Sequence, residues 1–328
     1  MDKKIDHSFV SSSIIERIAK FDQILVKHSQ LSAAIEGINR CVSWSRTGRE
    51  PRGFLLTGAG GTGKTTLCHA VLRQFPQTEV QEGLTKISTV PAFYSSIPSP
   101  SSIKGLAANL LHGLGDPYPY RGTTEMRSAK LVKLLVECRT KVIILDEFHH
   151  LANASTPEKA QAKKVCEWIR AVTKDTGVMF CLVGIPGCEA VVDYDDQMRR
   201  RFADRYRLED LVLGTEKASG DLIPYLCTLG EKAQGLIGIT AFPDFKDHTF
   251  VSQIWLATAG RPAFISLLIK DALFAALNGG GRDYVTVGDF AAAFESGCSS
   301  EFALCQKNPF LMTRAELASQ ARLGNGRE

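Results

Sequence analysis

Apolar positions recur along this chain with two different periods. Leu31, Ile35, Ile38 and Val42 share one helical stripe, which predicts an amphipathic helix over 31–45. GREPRG then breaks the pattern, and GFLLTG (53–58) is a short apolar run that ends in glycine. Gly63 to Phe75 reads as a helix, VPAFYSSIP (90–98) as a second strand, and SSIKGLAANLLHGLG (101–115) as a helix. Ser101 or Ser102 would cap that helix and Gly115 would end it. After the loop GDPYPYRG a further helix spans about Thr123 to Arg139. KVIILDE (141–147) and VMFCLVGIP (178–186) are continuous apolar runs, as expected of strands buried on both faces of a parallel sheet. A helix from Thr156 to Lys174 separates them, and a last strand is expected over Tyr206–Leu213. Strands alternating with helices of this length predict an α/β sheet with right-handed crossovers. Beyond Gly214 only helical patterns remain, at 216–235, 247–259, 261–278 and 286–297, broken by Gly260, the glycines at 279–281 and Gly297. A domain boundary is expected near Leu213–Thr215, and the polar tail after Asn308 is expected to be loosely held.

Composition narrows the class of protein more than its chemistry. With 328 residues, 44% hydrophobic and 23% charged, the chain suits about two globular domains. Its charged start lacks the apolar core of a signal peptide, and no run of about 20 apolar residues occurs, so a soluble cytoplasmic protein is expected. Nine cysteines without a CxxC pair read as buried thiols in a reducing compartment. A net charge of +4 neither demands nor forbids nucleic acid. His149 and His150 are adjacent, but no third metal-type ligand stands at a useful spacing, so they read as surface or packing groups. Trp44, Trp168 and Trp255 lie far apart and read as core or interface residues.

The strongest chemical signal is Gly58-Ala59-Gly60-Gly61-Thr62-Gly63-Lys64-Thr65, which fits G-x-x-x-x-G-K-[ST] between a strand and a helix. Glycines there let successive backbone N–H groups turn toward phosphate oxygens, and the helix N-terminus adds positive potential. Lys64 would reach the β and γ phosphates, Thr65 would ligate Mg²⁺, and Thr66 completes the expected nucleotide contacts. Average residue frequencies give a chance match in on the order of one per cent of chains this long, before the strand and helix are counted. The second signal is Asp146-Glu147 at the end of a buried strand, where open parallel sheets bind ligands. Asp146 would hold Mg²⁺ through water, and Glu147 would act as general base on the attacking water. A water-activating pair without an evident acceptor pocket points to ATP hydrolysis rather than group transfer.

GAGGTGKT, VIILDE and an all-helical second domain resemble an AAA+ ATPase. FDQILVKHSQL, VPAFYSSIPSPSSIKGLAANLLHGLGDP, IILDEFHHLANAS, LVGIPGCEAVV and QMRRRFADRYRLEDL narrow this to a resemblance to the TniB/TnsC family of transposition regulators, over roughly residues 15–300. The resemblance implies a RecA-like α/β domain at 51–214, preceded by an extension and first helix at 1–50. A smaller helical lid at 215–300 and a tail at 301–328 would follow. It also implies rings or helical filaments on double-stranded DNA in the ATP state, contacted through the backbone without base reading. Such an assembly links a TniQ-like target selector to a TniA/TnsB-like transposase.

Site residues follow from the same resemblance. Arg201 takes the place of the arginine finger that reaches a neighbour's γ-phosphate, with Arg200 and Arg205 in reserve; a solvated basic helix end is the plainer alternative. Arg261 resembles a sensor-2 arginine, although in Gly-Arg-Pro order it could equally cap or pair within the lid. Gly184, Ile185 and Pro186 stand where a polar sensor-1 residue is usual, which suggests slow or partner-dependent hydrolysis. Lys104, Thr123 and Thr124 match positions that face the filament axis, with Arg121 and Arg127 nearby; Lys104 could also be an ordinary exposed lysine. Adenine is expected against Phe21–His28 and the lid. A helicase-loader-like ATPase, or a nucleotide-driven signalling switch without DNA, are the competing functions.

Overall fold

A computed structural model of the chain describes residues 12–45, 51–151, 156–214, 220–279, 281–297 and 302–324. Thr215, at the expected domain boundary, and residues 216–219 of the expected helix 216–235 lie outside the described residues. The chain divides into two compact units, Gln30–Glu209 and Met1–Ser29 with Asp210–Glu328.

The first two helices are α1 (Ser12–Phe21) and α2 (Ser29–Ser45), followed by β1 (Phe54–Gly58) and α3 (Lys64–Leu72). A hairpin of β2 (Thr78–Glu82) and β3 (Thr85–Thr89) precedes β4 (Ala92–Ser96), α4 (Ile103–Gly113), α5 (Thr124–Glu137) and β5 (Val142–Asp146). Then come a 3₁₀ turn at Phe148–Leu151, α6 (Thr156–Thr176), β6 (Met179–Gly184), α7 (Glu189–Asp193), α8 (Asp196–Arg201) and β7 (Asp204–Leu208). Five strands form one parallel sheet in the order β4-β5-β6-β1-β7. Every residue of β1, β5 and β6 is buried, which is why these segments read as unbroken apolar runs. Leu106, Leu110, Leu131, Leu135, Val165 and Ile169 from α4, α5 and α6 pack with Ile143, Leu145 and Phe180 of the sheet. Each such side chain contributes about 1.5–3 kcal/mol on full burial.

Helix starts follow the sequence closely. Ser102 Oγ accepts from Gly105 N at 3.0 Å, and Thr123 Oγ1 accepts from Met126 N at 3.3 Å, so each caps its helix. α2 lies close to the edge strand β7: a Cβ added to Gly37 would sit 2.6 Å from the Tyr206 ring, and that ring stacks on Phe54 at 5.0 Å. The last strand begins earlier than expected, at Asp204, and ends at Leu208 rather than Leu213.

The other unit is helical and is built from α1 with α9 (Leu222–Ile237), α10 (His248–Thr258), α11 (Pro262–Asn278), α12 (Val287–Ser296) and α13 (Arg314–Gly324). Phe250 meets Phe290 edge-on at 5.1 Å and Phe310 at 6.2 Å, within a core that also takes in Leu317. The described part of the tail expected to be loose is packed: Phe310 and Leu317 are buried, and α13 lies against α10. The few apolar residues of a polar segment are enough to dock it. Among the described residues no helix is long and apolar enough to cross a membrane.

Candidate nucleotide site

The site grows from the turn after β1. Gly63 adopts φ +98°, a conformation open to glycine, and from that residue the chain enters α3 with Lys64 and Thr65 as its first two positions. Gly58, at the end of β1, has Leu208 O 2.7 Å from where a Cβ would stand, so a side chain there would strike backbone. Nothing lies within 4 Å of a Cβ built on Gly60 or Gly63. That open side leaves the loop N–H groups approachable by a bulky anion. Thr62 is buried and its hydroxyl donates to Ala59 O at 2.9 Å, bracing the loop from within. Gly61, with φ +83°, completes the turn. Lys64 Nζ donates to Gly58 O at 2.7 Å and Ala59 O at 2.8 Å, curling back over the loop. Burial holds its pKa below the ordinary lysine value, against the pull of Asp146 and Glu147. Thr65 and Thr66 are exposed.

Asp146 ends β5, and its carboxylate is buried and doubly held. Oδ2 accepts from Tyr94 Oη at 2.6 Å, and Oδ1 accepts from Glu147 N at 2.7 Å. Tyr94 lies on β4, the neighbouring strand. Burial and the Asp146 carboxylate together push the Tyr94 hydroxyl far above its usual pKa, so it remains a proton donor. Glu147 turns the chain with φ +59°, a conformation that costs a non-glycine residue about 1–2 kcal/mol. Its Oε2 lies 3.1 Å from His149 Nε2. Phosphate loop and carboxylate pair thus lie in one unit, at the C-terminal ends of two parallel strands separated by β6.

The chemistry of this donor set fits a magnesium nucleotide. It offers an amine, an exposed hydroxyl on the first turn of a helix, a fixed anionic carboxylate and a second carboxylate beside it. His149 and His150 do have a third metal-type ligand, contrary to expectation. Glu147, His149 and His150 bring one ligand atom each within 4.8 Å of one another. The 3₁₀ turn after β5 is what folds the three together. At the end of β6, a Cβ on Gly184 would fall 2.7 Å from Cys188 Sγ and 3.3 Å from His149 N, so the polar residue missing there has no room.

The three candidate finger arginines differ in their surroundings. Arg200 is exposed on α8. Arg201 is half-buried and donates to Arg170 O at 3.4 Å; burial lowers its pKa. Arg205 is ion-paired with Asp193 through bonds of 3.0 and 2.6 Å. Arg261 precedes α11 and makes no side-chain cap; it donates to both oxygens of Asp210 at 3.0 Å and stands 5.2 Å over Phe264.

Lys104 is exposed on the first turn of α4. Thr123 is exposed although its hydroxyl caps α5, Thr124 is half-buried, and Arg121 is exposed with its guanidinium 4.3 Å over the Tyr118 ring. Arg127 is buried and spends its donors on backbone carbonyls, which removes it from the set of surface contacts.

In the helical unit a cleft of about 550 Å³ is lined by Val26, His28, Val212, Pro224 and Tyr225 among others. His28 meets Tyr225 edge-on at 6.1 Å, and burial lowers its pKa while pushing the Tyr225 hydroxyl up to about 12. His28 Nδ1 is buried without a hydrogen-bond partner. Among the described residues six cysteines are buried, including Cys41, Cys68, Cys166 and Cys188, whose thiols burial pushes up to about 12.

A parallel sheet ordered β4-β5-β6-β1-β7, with a phosphate loop after β1 and acidic residues after β5, defines a RecA-like AAA+ ATPase fold. Solved structures agree. The Aeropyrum pernix ORC1 protein, determined in complex with DNA, aligns with a TM-score of 0.55 at 16% identity, over 83% of this chain and 66% of its own. The ORC2 protein of Aeropyrum pernix, in ADPNP–ADP complexes, gives 0.61 at 16% identity, over 84% and 71%. Cdc6p from Pyrobaculum aerophilum gives 0.59 at 15% identity, over 93% and 83%. At this identity the likeness defines the fold. No curated protein matches the chain in sequence. Residues 17–209 match the family described as bacterial TniB protein, and the chain belongs to the TniB family.

Proposed function

We propose that this protein is an ATP-hydrolysing, DNA-binding regulator of transposition that assembles on target DNA and links a target selector to a transposase. The observation that carries the reading is the site itself: Lys64 and Thr65 at the N-terminus of α3, with Asp146 and Glu147 closing β5 in the same unit, in a chain of the TniB family. Thr65 and Asp146 would hold Mg²⁺, which when bound neutralises charge on the β and γ phosphates. Lys64 leaves the Gly58 and Ala59 carbonyls to meet the γ-phosphate, and the loop N–H groups bind the phosphates that replace it. Glu147 takes a proton from the water that attacks the γ-phosphorus, with ADP leaving. The same carboxylate lies 3.1 Å from His149 Nε2, so turnover would begin with Glu147 leaving that contact. The exposed Arg200 and the half-buried Arg201 supply the finger in trans, and Lys104, Arg121, Thr123 and Thr124 contact the DNA backbone.

The test is imaging of the protein with random duplex DNA and ATP, a non-hydrolysable analogue or ADP. The reading requires rings or filaments that depend on both DNA and the ATP state. Assembly with nucleotide alone, indifferent to DNA, would sink it in favour of a signalling switch. DNA-dependent assembly that retains a replicative helicase but no transposase would favour a loader.

A further inference from the structure

The loop between α4 and α5 is unusually well fixed for a segment that exposes two aromatic rings. Asp116 anchors its start: the carboxylate is buried, receives Lys130 Nζ at 2.6–2.7 Å and accepts from Tyr118 N at 3.1 Å. Arg127 anchors its end, with Nη1 donating to Lys104 O at 3.1 Å, Nε to Arg121 O at 3.4 Å and Nη2 to Tyr120 O. Pro119 is buried between the two tyrosines, and so both rings point outward, Tyr118 at 56% and Tyr120 at 65% exposure. Met126, on the first turn of α5, is also exposed. Arg121 stacks over Tyr118, and Lys104 joins the loop through its own carbonyl on Arg127. Glu125 is the nearby acid: its carboxylate is held by its own backbone N–H and by Thr123 and also feels the charge of Lys104, which leaves Arg121 and Lys104 against one carboxylate at the rim.

Exposed aromatic rings cost free energy in water, and hydrogen bonds to Asp116 and from Arg127 hold the backbone that carries them. The arrangement is therefore preorganised to meet a partner at little entropic cost. The cations at its rim, Lys104 and Arg121, set the sign of that partner's charge. We propose that Tyr118 and Tyr120 form a preformed platform for the sugar–phosphate backbone of duplex DNA, with their rings packed on deoxyribose and their hydroxyls donating to phosphate oxygens. The inference rests on the DNA-binding reading above and extends it from cations to uncharged aromatic contacts.

The two kinds of contact separate experimentally. A cation that neutralises a phosphate releases counterions, so its loss flattens the dependence of affinity on salt; an uncharged tyrosine leaves that slope alone. Binding of a labelled random duplex is measured by fluorescence anisotropy across a salt series, with a non-hydrolysable ATP analogue, for wild type, Lys104→Ala and Tyr118→Ala/Tyr120→Ala. The double tyrosine variant should lose about tenfold in affinity at every salt concentration with the slope unchanged. Lys104→Ala should reduce the slope by about one. Both tyrosine side chains are exposed, so the thermal midpoint should hold, and it is measured alongside. Wild-type affinity in the tyrosine variant, with Lys104→Ala weakened, overturns the platform and leaves the DNA reading standing. A wild type that binds no duplex in any nucleotide state overturns both. A tyrosine variant that keeps its affinity for duplex but loses self-association without DNA assigns the face to a second copy of this chain, and the platform is again overturned.

Discussion

Tyr94 donates to one oxygen of Asp146 at 2.6 Å while the backbone N–H of Glu147 takes the other, so the carboxylate expected to orient Mg²⁺ has one fixed rotamer. Outer partners of this kind typically tune metal affinity by about 10–100-fold. Tyr94→Phe keeps the ring and removes the donor. The magnesium concentration needed for half-maximal hydrolysis should rise about tenfold, with nucleotide affinity in the absence of magnesium unchanged; an unaltered magnesium curve would remove Tyr94 from the site. Glu147 carries a different burden. Glu147→Gln retains shape and loses basicity, so turnover should fall about a hundredfold to ten-thousandfold while ATP still binds. A variant that hydrolyses at wild-type rate would show that another group accepts the proton. The phosphate loop and the acidic pair could be read in the sequence because each is a contiguous run of residues. Tyr94 could not: its partnership with Asp146 depends on β4 lying beside β5, and no spacing along the chain encodes that neighbour.

At the level of elements, sequence patterns worked where burial was complete and failed where it was partial. β1, β5 and β6 are wholly buried, and their apolar runs mark them. The hairpin of β2 and β3 leaves no mark in the sequence, because TEVQE is mostly exposed and carries no strong alternation. β7 lies earlier than the apolar pattern suggests, since Leu211 and Leu213 look like strand residues. The strand is the charged DRYRL, an edge strand paired on one side with β1, while Leu211 belongs to the core of the helical unit. In that unit α12 starts with a capping box, since Thr286 Oγ1 accepts from Asp289 N while Asp289 Oδ2 accepts from Thr286 N. Burial would raise the Asp289 pKa, but Arg282 at 2.6 Å and the Thr286 donors outweigh it and hold the carboxyl below its usual value. A carboxyl with a depressed folded-state pKa stabilises above its unfolded value, and the benefit is lost as pH falls through the lowered one. Asp289→Asn should therefore cost about 1–2 kcal/mol at pH 7. The deficit should shrink toward zero as the pH drops below the lowered carboxyl value. Thermal melts of both proteins from pH 7 downward measure this, and a deficit of constant size would show that the charge contributes nothing.

At the scale of the whole molecule, the decisive question is whether one chain holds a complete active site. Within the unit Gln30–Glu209, Lys64 feels the charges of Asp146 and Glu147, and α8 ends in the run Arg199-Arg200-Arg201. Arg200 is exposed, and Arg205 is already committed to Asp193. If the finger acts in trans, two disabled chains can repair each other. Lys64→Ala removes the lysine proposed to reach the γ-phosphate but leaves the arginines intact; the double variant Arg200→Ala/Arg201→Ala does the reverse. Either protein alone should hydrolyse ATP at a small fraction of the wild-type rate, since a finger in this chemistry is worth about a thousandfold or more. In an equal mixture assembled on DNA, a working site needs an intact Lys64 on one side of an interface and intact arginines on the other. Random assembly supplies that combination at about a quarter of interfaces, so the mixture should recover about a quarter of wild-type turnover. Recovery should also depend on DNA and vanish on dilution below the concentration at which the chains assemble. A mixture as inactive as its parents would mean that the arginines act within their own chain or not at all, and that Arg170 and Asp193 hold their final partners rather than resting ones.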